Sequence, residues 1–189
     1  DVNDEAAVKR TMGELRAAHG GIDILFNNAG IVARGLIAQS QTADWRRVME
    51  TDLTSLYVVA REAVAIMAGR GGGRIVNMSS IMGLVGRPTV SSYSTAEHGV
   101  IGLTRALAAE FGPQGITCNA IAPGYFATDI NADIRKDEKF NAMVKARTPL
   151  GRWGDPRELG GVAVFLASAA SSYVNGHILV VDGGVTATL

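Results

Sequence analysis

The side chains able to do chemistry gather just after short apolar runs. Asn27-Asn28-Ala29-Gly30 follows one run, Ser79-Ser80 a second, and Pro123-Gly124 with Thr128 a third. Tyr93 opens the helix expected after the second. Taken singly, these read as a turn, a cap and a half-buried ring. On successive strand ends, in this order, they point to a ligand crevice, because open parallel sheets bind ligands beyond the carboxyl ends of their strands. Metal chemistry is not indicated. The one cysteine, Cys118, lies inside an apolar run and reads as a packed thiol, and His19, His98 and His177 show no ligand spacing.

The elements that must position these groups follow from hydrophobic period and punctuation. Helices are expected over residues 4–18, 45–68, 92–111 and 155–168, with a polar helical segment over 131–146. Thr42 or Asp44 can cap the second helix, Gly20-Gly21 stops the first, and Pro156 suits the first turn of the last. Continuous apolar strands are expected over 22–26, 74–78, 115–121 and 177–181. Strands alternating with long helices mean crossover units and a parallel sheet covered on both faces. The fold class is therefore α/β, a doubly wound parallel sheet in a single domain over 1–189.

The chain has 189 residues, with 18 Lys+Arg balanced by 18 Asp+Glu. That neutrality gives no electrostatic footprint for nucleic acid or an anionic membrane. A single cysteine excludes an intramolecular disulfide. No apolar run reaches the length of a membrane span, and the acidic start lacks a signal region, so a cytoplasmic location is expected. The expected partner is a small-molecule substrate.

The combined motifs resemble the short-chain dehydrogenase/reductase family. The matching residues are Asn27-Asn28-Ala29-Gly30, Ser80 with Tyr93, and Pro123-Gly124-Tyr125-Phe126-Ala127-Thr128, joined by Val174-Asn175-Gly176 and Val181-Asp182-Gly183-Gly184. Asp1-Val2 looks like the family's adenine-contacting pair. Within the family, the segments 122–126 and 147–154 look most like gluconate 5-dehydrogenases. The resemblance implies a Rossmann-like fold and hydride transfer between NAD or NADP and a secondary alcohol or ketone, such as a sugar acid. It implies Tyr93 as general acid/base and Ser80 as its partner at the substrate oxygen. Asn28, Ala29 and Gly30 would pass the adenosine ribose, and Pro123, Gly124 and Thr128 would line the nicotinamide. It also implies a homodimer or homotetramer paired through the helices over 45–68 and 92–111, and a mobile lid after the charge run 135–139.

Three departures bear on that chemistry. Glu97 stands where the family has the lysine that holds ribose hydroxyls and favours tyrosinate. Asp52 stands where the family has an asparagine that holds a water. The phosphate-binding loop of the first strand–helix unit is absent, and Gly69-Arg70-Gly71-Gly72-Gly73 precedes a strand and cannot replace it. The expectation is an N-terminally incomplete fold whose strand 22–26 forms an apolar edge, and weak nucleotide binding if the chain begins at Asp1. The alternative reading is a catalytically impaired homologue that keeps the fold for oligomerisation or partner binding. Arg34 and Arg87 lie in loops near the crevice, where a carboxylate contact competes with a solvated surface role.

Overall fold

The computed structural model describes residues 1–188. Four parallel strands form one sheet in the order β1 (Ile24–Asn27), β2 (Gly73–Met78), β3 (Ile116–Pro123) and β4 (Ile178–Val181). Helices α1 (Glu5–His19), α2 (Thr42–Met49), α3 (Ser55–Met67), α4 (Ser91–Phe111), α5 (Glu138–Arg147) and α6 (Leu159–Ala167) connect and cover them.

Alternation along β2 divides the core. Ile75 joins one cluster with Met67 of α3, Leu107 of α4 and Cys118 of β3. Its neighbour Val76 points the other way, to Ile121 and Leu166 of α6. Both faces are thus covered, as the continuous apolar strands require. A polar thread runs through the sheet. Asn27 Nδ2 donates to Asn77 Oδ1 at 2.9 Å, and Asn77 Nδ2 donates to Thr104 Oγ1 at 3.0 Å, which ties β1 and β2 to α4. β1 is one edge of the sheet, with Ile24 and Phe26 exposed.

The single helix expected over 45–68 is not continuous. A π turn, Glu50–Thr54, separates α2 from α3. Ser55 Oγ donates back to the Thr51 carbonyl at 2.6 Å beside this turn. Apolar period reports which face is buried and is insensitive to one extra residue per turn. The polar segment 131–146 is also shorter than expected as an α-helix. Two 3-10 turns, Asp129–Asn131 and Ile134–Lys136, come first, and α5 begins only where Asp137 accepts from the Lys139 and Phe140 amides. The last expected helix opens as a 3-10 turn over Pro156–Glu158, capped by Asp155 and Glu158 together.

Candidate active site

Helix α4 is the platform on which the polar residues meet. Two other segments press onto it at glycines. A Cβ at Gly83, in the turn after β2, would stand 2.8 Å from the Glu97 carbonyl oxygen. A Cβ at Gly99 would stand 2.6 Å from Leu53 of the π turn. At Gly83 the obstacle is backbone, so only glycine permits the approach, whereas at Gly99 the Leu53 side chain would have to shift. The first seats Ser80 against Tyr93. The second brings Asp52 against the same helix.

Ser80 is buried, and its hydroxyl accepts from the Met82 amide at 3.1 Å. Tyr93 and Glu97 lie four residues apart on α4 and line one cleft together with Asp52, Ser79 and Ser80. Asp52 is 3% exposed and Glu97 5%. The Ile31 amide donates to Asp52 Oδ1 at 2.8 Å, while Asp52 Oδ2 and Glu97 Oε2 are buried with no hydrogen-bond partner among the described residues.

The electrostatics follow from burial. Desolvation raises Asp52 to about 6, against the Ile31 amide. Desolvation also raises Glu97 to about 8; Asp52 adds to the rise and the Tyr93 phenol opposes it. Tyr93 is pushed far above its ordinary value, first by burial and then by the Glu97 carboxylate, with Ser80 working the other way. Among the described residues no lysine or arginine lines this cleft, so nothing cationic among them offsets the two carboxyl groups there.

Asn28, Ala29, Gly30, Pro123, Gly124 and Thr128 line the same cleft. Asp1 and Val2 do not. Asn3, beside them, donates from Nδ2 to Thr51 Oγ1 at 3.0 Å, which ties this end of the chain to the π turn.

A second cavity adjoins the first. It shares Ser80, Tyr93, Gly124, Ile130 and Asn131 with the first and adds Arg34 and Arg87. Arg34 donates to the Ile130 carbonyl at 3.3 Å and to Asn131 Oδ1 at 3.4 Å. Arg87 lies over the Phe140 ring at 5.4 Å. Burial and then the Arg87 charge pull the Arg34 pKa down. Among the described residues neither forms an ion pair. Both are expected in loops near the crevice; that their guanidinium groups meet one cavity follows from how the two loops fold, which no hydrophobic period signals. Asn131, which borders both cavities and donates to the Phe126 carbonyl at 3.0 Å, carries no motif that would single it out.

Other candidates fall outside. His98 is exposed on the far side of α4, with Nδ1 2.8 Å from the Ser94 carbonyl oxygen. Cys118 is fully buried, and burial pushes its thiol up to about 12. Among the described residues no three His, Cys, Asp or Glu side chains are grouped to hold a metal, and no helix is long and apolar enough to cross a membrane.

Known proteins are similar to this chain in sequence and fold. The family model described as "Enoyl-(Acyl carrier protein) reductase" matches residues 1–186. The 2-dehydro-3-deoxy-D-gluconate 5-dehydrogenase of Formosa agariphila is 42% identical over 190 residues, covering 100% of this chain and 72% of that protein. The gluconate 5-dehydrogenase of Gluconobacter oxydans is 41% identical, covering 100% of this chain and 74% of that protein. The crystal structure of a gluconate 5-dehydrogenase from Burkholderia cenocepacia J2315, in complex with NADP and tartrate, superposes with a TM-score of 0.98 at 41% identity, covering 100% of this chain and 74% of that one. On sequence and fold together, the chain belongs to the short-chain dehydrogenase/reductase family of oxidoreductases.

Proposed function

We propose that the chain interconverts a secondary alcohol and a ketone on a small substrate bearing a carboxylate, of sugar-acid type, with NAD or NADP. The carrying observation is that Ser80 and Tyr93 belong to both cavities at once. One cavity offers backbone, hydroxyl and carboxyl groups, and the other offers two guanidinium groups. A reacting carbon held at their junction has hydrogen-bonding groups at its oxygen and an anion slot on the far side.

When bound, a nicotinamide dinucleotide supplies hydride chemistry. The cleft fits such a group: the orphaned oxygens of Asp52 and Glu97 suit hydroxyl groups of a ribose, and Thr128 offers a hydroxyl to a carboxamide. Asn28, Ala29 and Gly30 would hold the adenosine ribose, and Pro123, Gly124 and Thr128 the nicotinamide. The family resemblance assigns Asp1 and Val2 to the adenine. Ser80 orients the substrate oxygen and Tyr93 exchanges a proton with it. Arg34 and Arg87, like charges without an anion between them, recognise the carboxylate. The relatives named for gluconate and its 2-dehydro-3-deoxy derivative, and the tartrate bound in the Burkholderia protein, support an acidic substrate.

Arg34→Ala and Arg87→Ala test this reading. A charge-assisted hydrogen bond contributes about 1.5–3 kcal/mol. Each variant should raise KM for keto sugar acids about tenfold or more, while KM for neutral ketones of similar size stays unchanged. Equal losses on acids and neutral ketones would remove the arginines from recognition.

A homo-oligomer belongs to the same proposal. Tyr57 of α3 and Trp45 of α2 are exposed, and Val164, Phe165, Tyr173 and Val180 add an apolar surface from α6 to β4. Exposed large apolar side chains such as these favour self-association. A monomer in sedimentation at micromolar concentration would contradict it.

A further inference from the structure

Glu97 has so far been given only a contact to ribose hydroxyls, and its proton has no role in the reaction. It is buried, yet it lies in the cleft that also holds Tyr93. One of its oxygens has no partner. The titratable groups facing it are Tyr93, from its own helix, and Asp52, from the π turn. The segments after β1, β2 and β3 bring neutral groups only, among them Asn28, Ser79 and Thr128. A buried carboxyl with no cation beside it is held neutral by a proton.

We propose that the Glu97 carboxylic acid is the proton reservoir of Tyr93: its proton passes through the phenol to the oxygen of a carbonyl substrate as that carbonyl is reduced. The inference rests on the oxidoreductase reading above and adds a direction to it. Carbonyl reduction requires a hydride at carbon, supplied by a reduced nicotinamide that is thereby oxidised, and a proton at oxygen. As the C=O π pair becomes an O–H bond, the Tyr93 O–H bond breaks. The phenol O–H is remade with the proton of Glu97, whose own O–H bond breaks. The negative charge ends on the Glu97 carboxylate, which regains a proton from solvent before the next turnover. The i and i+4 spacing places donor and phenol on one helix face for this transfer. Burial holds the acid protonated at neutral pH, since it ionises only at about 8. The same proton obstructs the reverse reaction, because an alcohol loses its proton only to a site that is empty. The chain is thus a ketone reductase at neutral pH, and alcohol oxidation grows as Glu97 ionises.

Two measurements test this. The first needs no turnover. Infrared spectra of the whole chain should show a protonated carboxylic acid C=O band at pH 7 that disappears as pH rises through about 8, is absent from Glu97→Gln and persists in Asp52→Asn. A wild-type chain without that band at pH 7 overturns the reservoir. The second is the pH profile of reduction, with keto sugar acids and NADH or NADPH. Wild-type kcat should fall above pH 8, and Glu97→Gln should lower kcat at pH 7 by about tenfold or more, with KM little changed and the alkaline limb lost. Glu97→Asp should recover part of both. If Glu97→Gln keeps the wild-type rate and profile, the reservoir is wrong and the oxidoreductase reading stands. If wild type and variants reduce no ketone while the band is present, the oxidoreductase reading itself falls and the reservoir with it.

Discussion

Tyr93 and Glu97 stand one helical turn apart on α4 and face the same cleft, so the phenol has an acid for its nearest ionisable neighbour. Replacing that neutral acid by a cation adds a charge that favours the tyrosinate. Unit charges about 4 Å apart interact by about 4 kcal/mol at an effective dielectric of about 20, and half of that is worth more than about tenfold in rate. Glu97→Lys should therefore raise alcohol oxidation at pH 7 by about tenfold or more and move its optimum to lower pH. Asp52→Asn should give a smaller gain, because Asp52 is the weaker influence on Tyr93. Steady-state oxidation of polyols and sugar acids with both cofactors is the measurement, and an unchanged rate and profile in Glu97→Lys would count against the assignment.

Tyr93→Phe removes the proton donor and leaves the ring. Positioned acid–base groups contribute about 10²–10⁴ in rate. The variant should lose turnover by at least about a hundredfold. NADPH binding, followed by fluorescence titration, should change little. A Tyr93→Phe enzyme within a few-fold of wild type would move the proton exchange to another group.

Stability should depend on pH through the same carboxyls. Glu97 ionises at about 8 in the folded chain and near its ordinary 4.5 when unfolded. Asp52 ionises at about 6 against an ordinary 3.8. The folded state binds more protons, so stability falls as pH rises. The Glu97 contribution is fully present below 4.5 and is lost as pH climbs through about 8. Melting temperature should decline from pH 5 to pH 8. Glu97→Gln should flatten that decline and melt higher than wild type at pH 8, at about 2–4 °C per kcal/mol for a chain of this size. A wild-type profile flat across this range would contradict the buried charges.

Gly99→Ala probes the seat of the π turn. The new Cβ would fall 2.6 Å from Leu53, well inside contact. Overpacking of this kind costs about 1–3 kcal/mol. Thermal unfolding should show that loss. Because the displaced segment carries Asp52, kcat should fall further than stability alone explains. Gly102→Ala, on the same helix with open space around it, should do neither.

Most of the scaffold was legible from periodicity. The four strands were anticipated within two residues of their ends, and α1 and α4 within one. The reason is physical: buried parallel strands must be continuously apolar, and long helices must show one apolar face. What stayed hidden depends on local geometry without a hydrophobic signature. The π turn buries the same face as the helix it interrupts. Arg34 and Arg87 meet across a cavity only because two loops fold together, as does Asn131. Glu97 was visible as a departure from the family pattern. That it is buried with an unpartnered oxygen could not be read from a helix position that has Thr95 and His98 exposed close by.

The π turn between α2 and α3 absorbs one extra residue in an otherwise regular screw. Each residue of an α-helix advances the side-chain direction by about 100°. Excising one residue from Glu50–Thr54 would let the segment close into ordinary α geometry, joining α2 and α3 into one longer rod. The α2 and α3 flanks would keep their bearings, because the wide turn absorbs its extra residue, while the residues of the turn itself, Asp52 among them, would be re-aimed by about that angle. The insertion therefore lets one turn aim Asp52 into the cleft without disturbing the rod on either side. Length at this site is under tighter constraint than residue identity, so single-residue deletions in this turn should be far less tolerated than substitutions at Glu50, whose side chain is exposed.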